Sequence, residues 1–460
     1  MNIYFIACST PILFAQILVS KNPPPPRSRG HLLRVLGVGF GLAVIIGNTI
    51  GAGIFRAPGQ IAEQLPHPWL FLGVWLLGGL YALLGAISLA ELGTMIPRSG
   101  GQYVFARYAL GEYAGFIVGW SDWISSCGST AAVALVIGTF SGALIPSLAG
   151  KGPAVAATVA IVFAVLQWRG IVWGSTIQNL TSLLKALAFF ALIAAAFILG
   201  GKGALTSSQT YSTAAVTIGA VIASLQAAIY TYDGWSGVIY FSEEVEHPGR
   251  DVPRALLGGV LTITAIYLLV NVALLYVLPI SGIAGKEFAP GEAANVIFGQ
   301  HGDTIFRCIT IVSMLSAINA LHLMATRVIY AMSRDGLFTE RAAVVNVGGT
   351  PTVSLFLSAA VAVLFILFGQ TFERVIIICA FFFVANYILS FISLFVLRRR
   401  EPDKPRPFRA WGYPVTPGLA LIGSILFLVG AVYADRTNSL YALLLLAASY
   451  PAFRLVKLLK

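Results

Sequence analysis

Two glycine-rich segments interrupt long apolar runs of this chain and would present bare peptide groups to a ligand. They are residues 47–55, GNTIGAGIF, and residues 230–237, YTYDGWSG. Irregular backbone at membrane depth is tolerated only where it is buried in protein or lines a cavity. Glycine allows such a break, and its missing side chain lets a ligand approach the backbone. The pattern predicts two broken helices beside a binding site, whereas Gly47, Gly51 and Ala52 taken alone would suit close helix packing equally well.

The peptide groups freed at such breaks favour a small dipolar solute. A new helix N-terminus offers free amides and the positive end of the helix dipole, while the preceding half offers free carbonyls. We therefore expect a carboxylate on the amides of Ala52 and Gly53, and an ammonium group on the carbonyls of Thr49, Ile50 and Tyr230. The full set of predicted substrate-binding residues is Thr49, Ile50, Gly51, Ala52, Gly53, Tyr230, Thr231 and Asp233.

Composition places these segments in a membrane protein. Of 460 residues, 58% are apolar or aromatic and only 10% are charged, against about 25% charged in an average soluble protein. The net charge of +11 predicts no nucleic-acid partner, because the charges fall between the apolar runs. A helix needs about 20 apolar residues to cross the hydrocarbon, and the runs predict twelve spans. They are residues 35–61, 69–95, 112–139, 153–168, 173–199, 214–241, 253–279, 303–330, 353–369, 373–397, 417–434 and 440–457.

The loop charges predict the orientation of the chain in the cell membrane. Lysine and arginine concentrate on the side of the termini, most densely in the basic loop 398–416, and this bias favours the cytoplasm. We therefore expect both termini in the cytoplasm, with residues 1–34 as an N-terminal segment outside the fold. Residues 1–20 are apolar but short, and either a signal peptide or an extension without a folded role fits them.

The two broken spans occupy equivalent positions in a duplicated unit. Gly51 and Gly234 correspond, and the spans that follow them keep a slowly growing offset. Two five-helix halves, 35–199 and 214–397, would then have opposite membrane orientations, as in inverted-repeat transporters. The predicted fold is an all-α integral membrane protein with broken helices one and six and with two appended helices in 417–457.

Several motifs in order resemble the amino acid, polyamine and organocation superfamily of permeases, and within it the L-type and related bacterial amino-acid transporters. The motifs are residues 47–55, 90–92, 97–103, 232–235, 243–255, 327–336 and 406–414. The resemblance implies an amino acid held by the broken spans and carried by alternating access, with spans one, two, six and seven rocking against three, four, eight and nine. It also implies an aromatic lid at Tyr230. Ala52 stands where many relatives carry serine, which leaves the backbone amide contact intact.

Lys185 lies deep inside the fifth span, where a lysine costs about 2.5–3.5 kcal/mol on insertion scales. Relatives with a lysine here imply an ammonium group tethered where sodium-coupled members of the fold place a sodium ion, bridging span one to Ser313 and Ser316. This predicts sodium-independent transport, by exchange or by proton coupling through Lys185. The alternative is a lysine that snorkels to the headgroups.

Two deep acids accompany it. Asp233 is expected at the span-six break, where it would cap the second half-helix or contact substrate. Asp122 in span three is a candidate proton or cation site, and the sequence leaves three roles open: pairing with a polar neighbour in the bundle, proton relay, and binding of a cationic substrate side chain. A polyamine or cationic amino-acid permease is the alternative function, although no deep acid lines span one.

Other classes of function are disfavoured. The four cysteines, Cys8, Cys127, Cys308 and Cys379, suit neither a disulfide framework nor a metal site, so no metal or cofactor is expected. No HExxH, GxSxG or histidine cluster indicates an enzyme, and a channel is the remaining remote alternative. The resemblance leaves a homodimer or a single-span accessory subunit open as partners beside the amino acid and the bilayer.

Overall fold

The computed structural model describes residues 32–200, 216–368 and 372–458, and within them the chain is helical with no β-strand. Residues 1–20, with their two interpretations, lie outside this part. The helices are α1 Val38–Thr49, α2 Gly53–Gln64, α3 Pro68–Met95, α4 Gln102–Leu110, α5 Glu112–Leu144, α6 Gly152–Trp168, α7 Ile171–Leu199, α8 Ile218–Tyr232, α9 Pro248–Val277, α10 Ile280–Ile283, α11 Ala289–Phe298, α12 Gly302–Arg334, α13 Thr352–Phe368, α14 Phe372–Arg400, α15 Val415–Ala434 and α16 Arg436–Leu458.

The predicted all-helical membrane architecture is confirmed at the level of its apolar helices. In the described ranges, eight helices are long and apolar enough to cross a membrane, and the bent pair α1 and α2 makes a ninth. Helices α6 and α13 have 17 residues each and α8 has 15, so the count of twelve crossings stays a prediction. The short helices α4, α10 and α11 lie between the apolar runs, where hydropathy gives no signal.

Helix α1 ends at Thr49, with Ile50 as its C-cap and Gly51 directly after it. The last helical bond at its end joins the Ile50 amide to the Ile46 carbonyl. Helix α2 then starts at Gly53, bent by 49° from α1. Helix α8 ends at Tyr232, and the chain turns at Gly234, whose φ of 106° suits glycine. A 3-10 turn at Gly237–Phe241 follows it.

The core is built from helices that face each other across the centre of the molecule. The most extensive contacts join α3 to α9 and α5 to α12, followed by those of α5 with α14 and with α6. Helix α1 packs against α7, α9 and α12. The break between α1 and α2 is therefore surrounded by protein and is closed off from lipid.

The loop between α14 and α15 folds onto one buried carboxylate. Glu91 at the end of α3 is fully buried; it lies 2.6 Å from Arg398 Nη2 and 3.0 Å from Arg406 Nε, and it accepts the Ala410 amide at 2.7 Å.

The same loop is also held by bonds from its basic side chains to backbone carbonyls. Arg406 donates to the Leu397, Glu401, Pro402 and Lys404 carbonyls. Arg400 donates to the Tyr108 and Ala109 carbonyls, and Lys404 to the Tyr108 hydroxyl. We call this end of the molecule the basic-loop end.

Candidate functional site

The two broken segments contact each other through their glycines. A Cβ at Gly53 would lie 2.9 Å from Thr231 Oγ1, and a Cβ at Gly234 would lie 3.0 Å from the Thr49 amide nitrogen. Larger residues at either position would push the segments apart. The predicted breaks of spans one and six therefore form one junction, to which Gly51, Ala52 and Tyr230 also belong.

A cavity of ≈ 70 Å³ lies at this junction. Its walls come from both breaks, from α5 and α12, and from α14. Seven of the eight predicted substrate-binding residues line it, and Ile50 does not. The lining residues are Asn48, Thr49, Gly51, Ala52, Gly53, Gln102, Ser126, Ser129, Val133, Tyr230, Thr231, Asp233, Gly234, Ser236, Tyr240, Ala317, Leu321, Met324, Phe383 and Tyr387.

The amides at the start of α2 are available to bind an anion. In the described part of the chain, no backbone or side-chain acceptor bonds the amides of Gly51, Ala52 or Gly53. The first amides of a helix lack intrahelical partners and carry the positive end of its dipole. This wall of the cavity can hold a carboxylate.

The carbonyls expected to bind an ammonium group are already engaged. The Ile50 carbonyl accepts Lys185 Nζ at 2.6 Å and Ser313 Oγ at 3.1 Å, which uses both of its lone pairs. The Thr49 carbonyl accepts the Tyr267 hydroxyl at 2.7 Å. The Tyr230 carbonyl accepts the Asp233 amide. The Ile50 carbonyl therefore has no lone pair left for an ammonium group, whereas the Thr49 and Tyr230 carbonyls each keep one.

Lys185 is fully buried and does not snorkel to the membrane surface. Its ammonium group donates to the Gly47 carbonyl at 2.7 Å and to the Ile50 carbonyl at 2.6 Å. Both carbonyls lie at the end of α1, where the break removes their helical donors. Ser313 meets Lys185 on the Ile50 oxygen, whereas Ser316 bonds Ser182 and Gln178 one turn away.

A polar face of α7 explains why Gly47 is glycine. Gln178, Ser182 and Lys185 are spaced i, i+4 and i+7, so they share one face. Gln178 and Ser182 both donate to the Ala43 carbonyl. A Cβ on Gly47 would lie only 2.0 Å from Gln178 Nε2. Ser175, Thr176, Asn179 and Thr181 are polar as well, so the sequence alone did not single out this face.

Asp233 belongs to the cavity wall. Its carboxylate accepts the Tyr387 hydroxyl at 2.7 Å. The 3-10 turn begins at Gly237, after Ser236, so Asp233 does not occupy the position that caps it. The Asp233 carboxylate instead accepts the Gly234 amide, so it bonds an amide freed by the break but does not cap a second half-helix.

Asp122 lies outside the cavity wall. Both of its oxygens accept the Tyr240 hydroxyl, at 2.8 and 2.9 Å, and its side chain is buried. Tyr240 itself lines the cavity and separates the acid from it. Any effect of Asp122 on the cavity would therefore pass through Tyr240.

Ion pairs close the cavity at the basic-loop end. Glu244 and Arg327 form a bidentate pair with 0% and 1% of their side chains exposed. Glu243 pairs with Arg334 at 2.8 Å, and Arg98 pairs with Asp335 at 2.8 Å. Glu243 and Glu244 follow the 3-10 turn after the second break, and their two partners, Arg334 and Arg327, lie on α12. The Leu36 amide donates to the Glu244 carbonyl and the Leu36 carbonyl accepts the Glu246 amide, which ties the residues before α1 to the same closure.

A second cavity of ≈ 320 Å³ lies on the opposite side of the junction. Ala52, Gly53, Tyr230 and Thr231 line both cavities and so form the partition between them. The remaining walls come from α2, α8, α14 and α15, with Phe381 and Phe427 among them. Among the described residues, no three His, Cys, Asp or Glu side chains lie close enough together to hold a metal ion.

Comparison with known proteins points in one direction. The family model described as "Amino acid permease" matches residues 41–448. The serine/threonine exchanger SteT of Bacillus subtilis (strain 168) is 30% identical over 430 residues, covering 92% of this chain and 96% of that protein.

Two human proteins are similar over most of the chain. The b(0,+)-type amino acid transporter 1 is 26% identical over 424 residues, covering 88% of this chain and 84% of the transporter. The large neutral amino acids transporter small subunit 2 is 25% identical over 393 residues, covering 82% and 72%. All of these are transporters of amino acids by name, and none is an enzyme.

Proposed function

Because the chain belongs to the amino acid permease family, we propose that it carries a small neutral L-amino acid across the cell membrane by sodium-independent exchange. The observation that carries this proposal is the cavity at the junction of the two breaks, with free amides on one wall and a carboxylate on another. Amino-acid transport is the function of the family, and the substrate, coupling and mechanism are the proposal.

The substrate carboxylate binds the amides of Gly51, Ala52 and Gly53, where the dipole of α2 supports it. The ammonium group binds Asp233, because the Ile50 carbonyl already has two donors and a carboxylate holds a cation more strongly than a neutral carbonyl does. Within the described lining, Asp233 carries the one charged side chain. A single carboxylate matches one ammonium group, so a neutral amino acid suits the cavity better than a polyamine or a cationic amino acid.

The size of the cavity favours a small substrate. One buried water molecule occupies about 10–15 Å³ of cavity volume. The cavity of ≈ 70 Å³ therefore accommodates a solute of few heavy atoms. Leucine and the aromatic amino acids would require the walls to move. The relative named a serine/threonine exchanger supports serine and threonine as the first substrates to test.

Alternating access would use the two closures unequally. With the basic-loop end in the cytoplasm, as the loop charges favour, the ion pairs of Glu243 and Glu244 form the cytoplasmic closure, and the partition at Tyr230 forms the thinner outer one. Moving α1, α2 and α8 away from α12 would break the arginine pairs and open the cytoplasmic side. Protease access to a C-terminal tag in sealed inside-out vesicles tests this orientation.

Twelve crossings in two inverted halves remain part of the proposal. The contacts support it, because predicted spans two and seven (α3 and α9) are equivalent and pack against each other, as do spans three and eight (α5 and α12). The contact of α5 with α14 likewise has its equivalent in that of α12 with α7. Pairs of this kind are expected when a pseudo-twofold axis passes through the bundle.

A binding panel tests the proposal as a whole. The purified protein is titrated with each of the twenty amino acids, with and without sodium. We expect serine, threonine or alanine to bind most tightly and the affinity to be the same in both salts. Proteoliposomes loaded with unlabelled substrate should take up labelled substrate faster than empty ones. Failure of every amino acid to bind would refute the proposal.

A further inference from the structure

One tyrosine hydroxyl bonds both broken segments at once. Tyr267 lies on α9 and is fully buried. Its oxygen lies 2.7 Å from the Thr49 carbonyl oxygen and 3.0 Å from the Thr231 carbonyl oxygen. We infer that Tyr267 is a positioning residue, whose hydroxyl holds the two breaks in the relative orientation that creates the substrate site. The inference rests on the proposed function of that site.

Both carbonyls need a donor from elsewhere. Thr49 is the last residue of α1, and Thr231 is the penultimate residue of α8. The amides that would bond these carbonyls in continuous helices belong to chain beyond the breaks. An unpaired carbonyl in a buried site is costly. The one proton of the Tyr267 hydroxyl is shared between the two carbonyls in a three-centre hydrogen bond, and it couples the ends of two helices that are distant in sequence.

Packing fixes the hydroxyl before any substrate arrives. The Tyr267 ring lies edge-on to Trp75, with centroids 5.6 Å apart, and edge-on to Tyr232, with centroids 4.9 Å apart. Tyr232 donates its hydroxyl to the Trp75 carbonyl at 3.0 Å, but its contact with Tyr267 is made by the ring alone. Trp75 lies on α3. The aromatic cluster therefore joins α3, α8 and α9, and the Tyr267 hydroxyl extends this group to α1.

The glycine contacts cannot replace this bond. Gly53 against Thr231 and Gly234 against Thr49 set how closely the breaks approach. Such contacts leave the segments able to slide or rotate, because van der Waals attraction is not directional. The hydrogen bonds of Tyr267 fix the orientation. In the proposed binding mode the carboxylate and the ammonium group bind different breaks, so their spacing depends on that orientation.

Tyr267 itself does not line the cavity. Its effect on binding must therefore act through Thr49 and Thr231. This separates it from residues that touch substrate and makes the inference testable by comparison with the neighbouring tyrosine.

The experiment compares Tyr267→Phe with Tyr232→Phe in the full-length protein. Each change removes one buried hydroxyl from the same aromatic cluster and keeps the ring, but only the first hydroxyl joins the breaks. Equilibrium binding of labelled L-serine and the melting temperature are measured for both. We expect similar losses of melting temperature, a Kd raised at least tenfold by Tyr267→Phe, and a Kd within twofold of wild type for Tyr232→Phe.

A second variant separates positioning from general damage. If Tyr267 aligns the breaks, its loss and the loss of the Asp233 charge are coupled, so Tyr267→Phe combined with Asp233→Asn should weaken binding less than the product of the single effects. An unchanged Kd in Tyr267→Phe, or equal weakening by Tyr232→Phe, would overturn the inference. Should Tyr267→Phe not survive purification, KM for L-serine in membrane vesicles takes the place of Kd. Absence of serine binding by wild type would instead count against the proposed function.

Discussion

The ammonium nitrogen of Lys185 lies 2.7 Å from the Gly47 carbonyl oxygen, in the last turn of α1. A buried positive charge thus bonds the end of a helix, where the negative end of the helix dipole favours a cation. The same charge reaches Ile50 on the other side of the last turn. Lys185 stabilises the break through its carbonyls, whereas other residues of the break line the cavity.

Replacing this charge should stop transport. In Lys185→Met the Gly47 carbonyl loses its donor and the Ile50 carbonyl keeps only Ser313, so the break loses its defined shape. We expect uptake of labelled serine into proteoliposomes to fall at least tenfold. Lys286→Met is the control, because Lys286 is half exposed and pairs with Glu292 at 3.4 Å. Wild-type uptake by Lys185→Met would contradict this role.

Transport should not depend on sodium. A cation fixed by covalent attachment leaves no vacancy for a mobile one at the same carbonyls. Replacing sodium with choline in the uptake assay should therefore change the initial rate by less than twofold. A collapse of uptake in choline would remove the basis for the role given to Lys185.

Adding one methyl group at Gly47 should destabilise the protein. Its Cβ would lie 2.0 Å from Gln178 Nε2 and 2.7 Å from Ser182 Oγ, and such overpacking costs about 1–3 kcal/mol. Gly39→Ala is the matched control on the same helix, since nothing lies within 4 Å of its Cβ. The melting temperature should drop for Gly47→Ala and stay level or rise for Gly39→Ala. Equal values for the two variants would show that the polar face of α7 can retreat.

Neutralising Asp122 should not alter substrate choice. Its carboxylate bonds Tyr240 and is separated from the cavity by that residue. We expect Asp122→Asn to leave the ratio of arginine to leucine uptake unchanged, whatever happens to the overall rate. Asp233→Asn is the comparison, because Asp233 lines the cavity and should be needed for binding any amino acid. A fall in arginine uptake alone on changing Asp122 would identify it as a site for cationic side chains.

Breaking the buried ion pair between Glu244 and Arg327 should lower the stability of the protein more than breaking an exposed pair. Removing one partner of a buried pair costs about 3–5 kcal/mol, whereas an exposed pair contributes about 0–1 kcal/mol. Glu244→Gln leaves Arg327 buried without its anion, while Glu292→Gln changes a pair whose side chains are about half exposed. Melting temperatures should fall clearly in the first variant only. Comparable stability of the two variants would mean that Arg327 finds another partner or water.

The spanning helices could be predicted from the apolar runs, and the two breaks could be predicted from the positions of glycine. Apolar runs such as 69–95 and 303–330 coincide with α3 and α12 because a spanning helix leaves few other solutions for the backbone. Gly53 and Gly234 lie where the segments touch, since close approach requires residues without a Cβ. The family motifs added the expectation of an amino-acid site, which the family match supports.

The hydrogen-bond partners of the breaks depend on how helices rotate against each other. Tyr267 and Ser182 reach α1 only because α9 and α7 present particular faces to it. Periodicity gives the faces of one helix but not which neighbour they meet. For this reason the position of Ile50 in the break predicts a substrate contact for its carbonyl, whereas the structure shows that this carbonyl accepts Lys185 and Ser313.

The arginines of the basic loop have one role during membrane insertion and another in the folded protein. During insertion, before the loop folds, every one of them is available to bias the topology. Once folded, Arg398 and Arg406 are committed to Glu91, and Arg400 is committed to backbone carbonyls. Arg399 and Arg409 remain on the outside of this folded loop. Two of the six basic side chains in this loop are thus paired with a buried carboxylate inside the protein, and the exposed ones, Arg399, Arg400 and Arg409, are those that remain able to meet lipid headgroups.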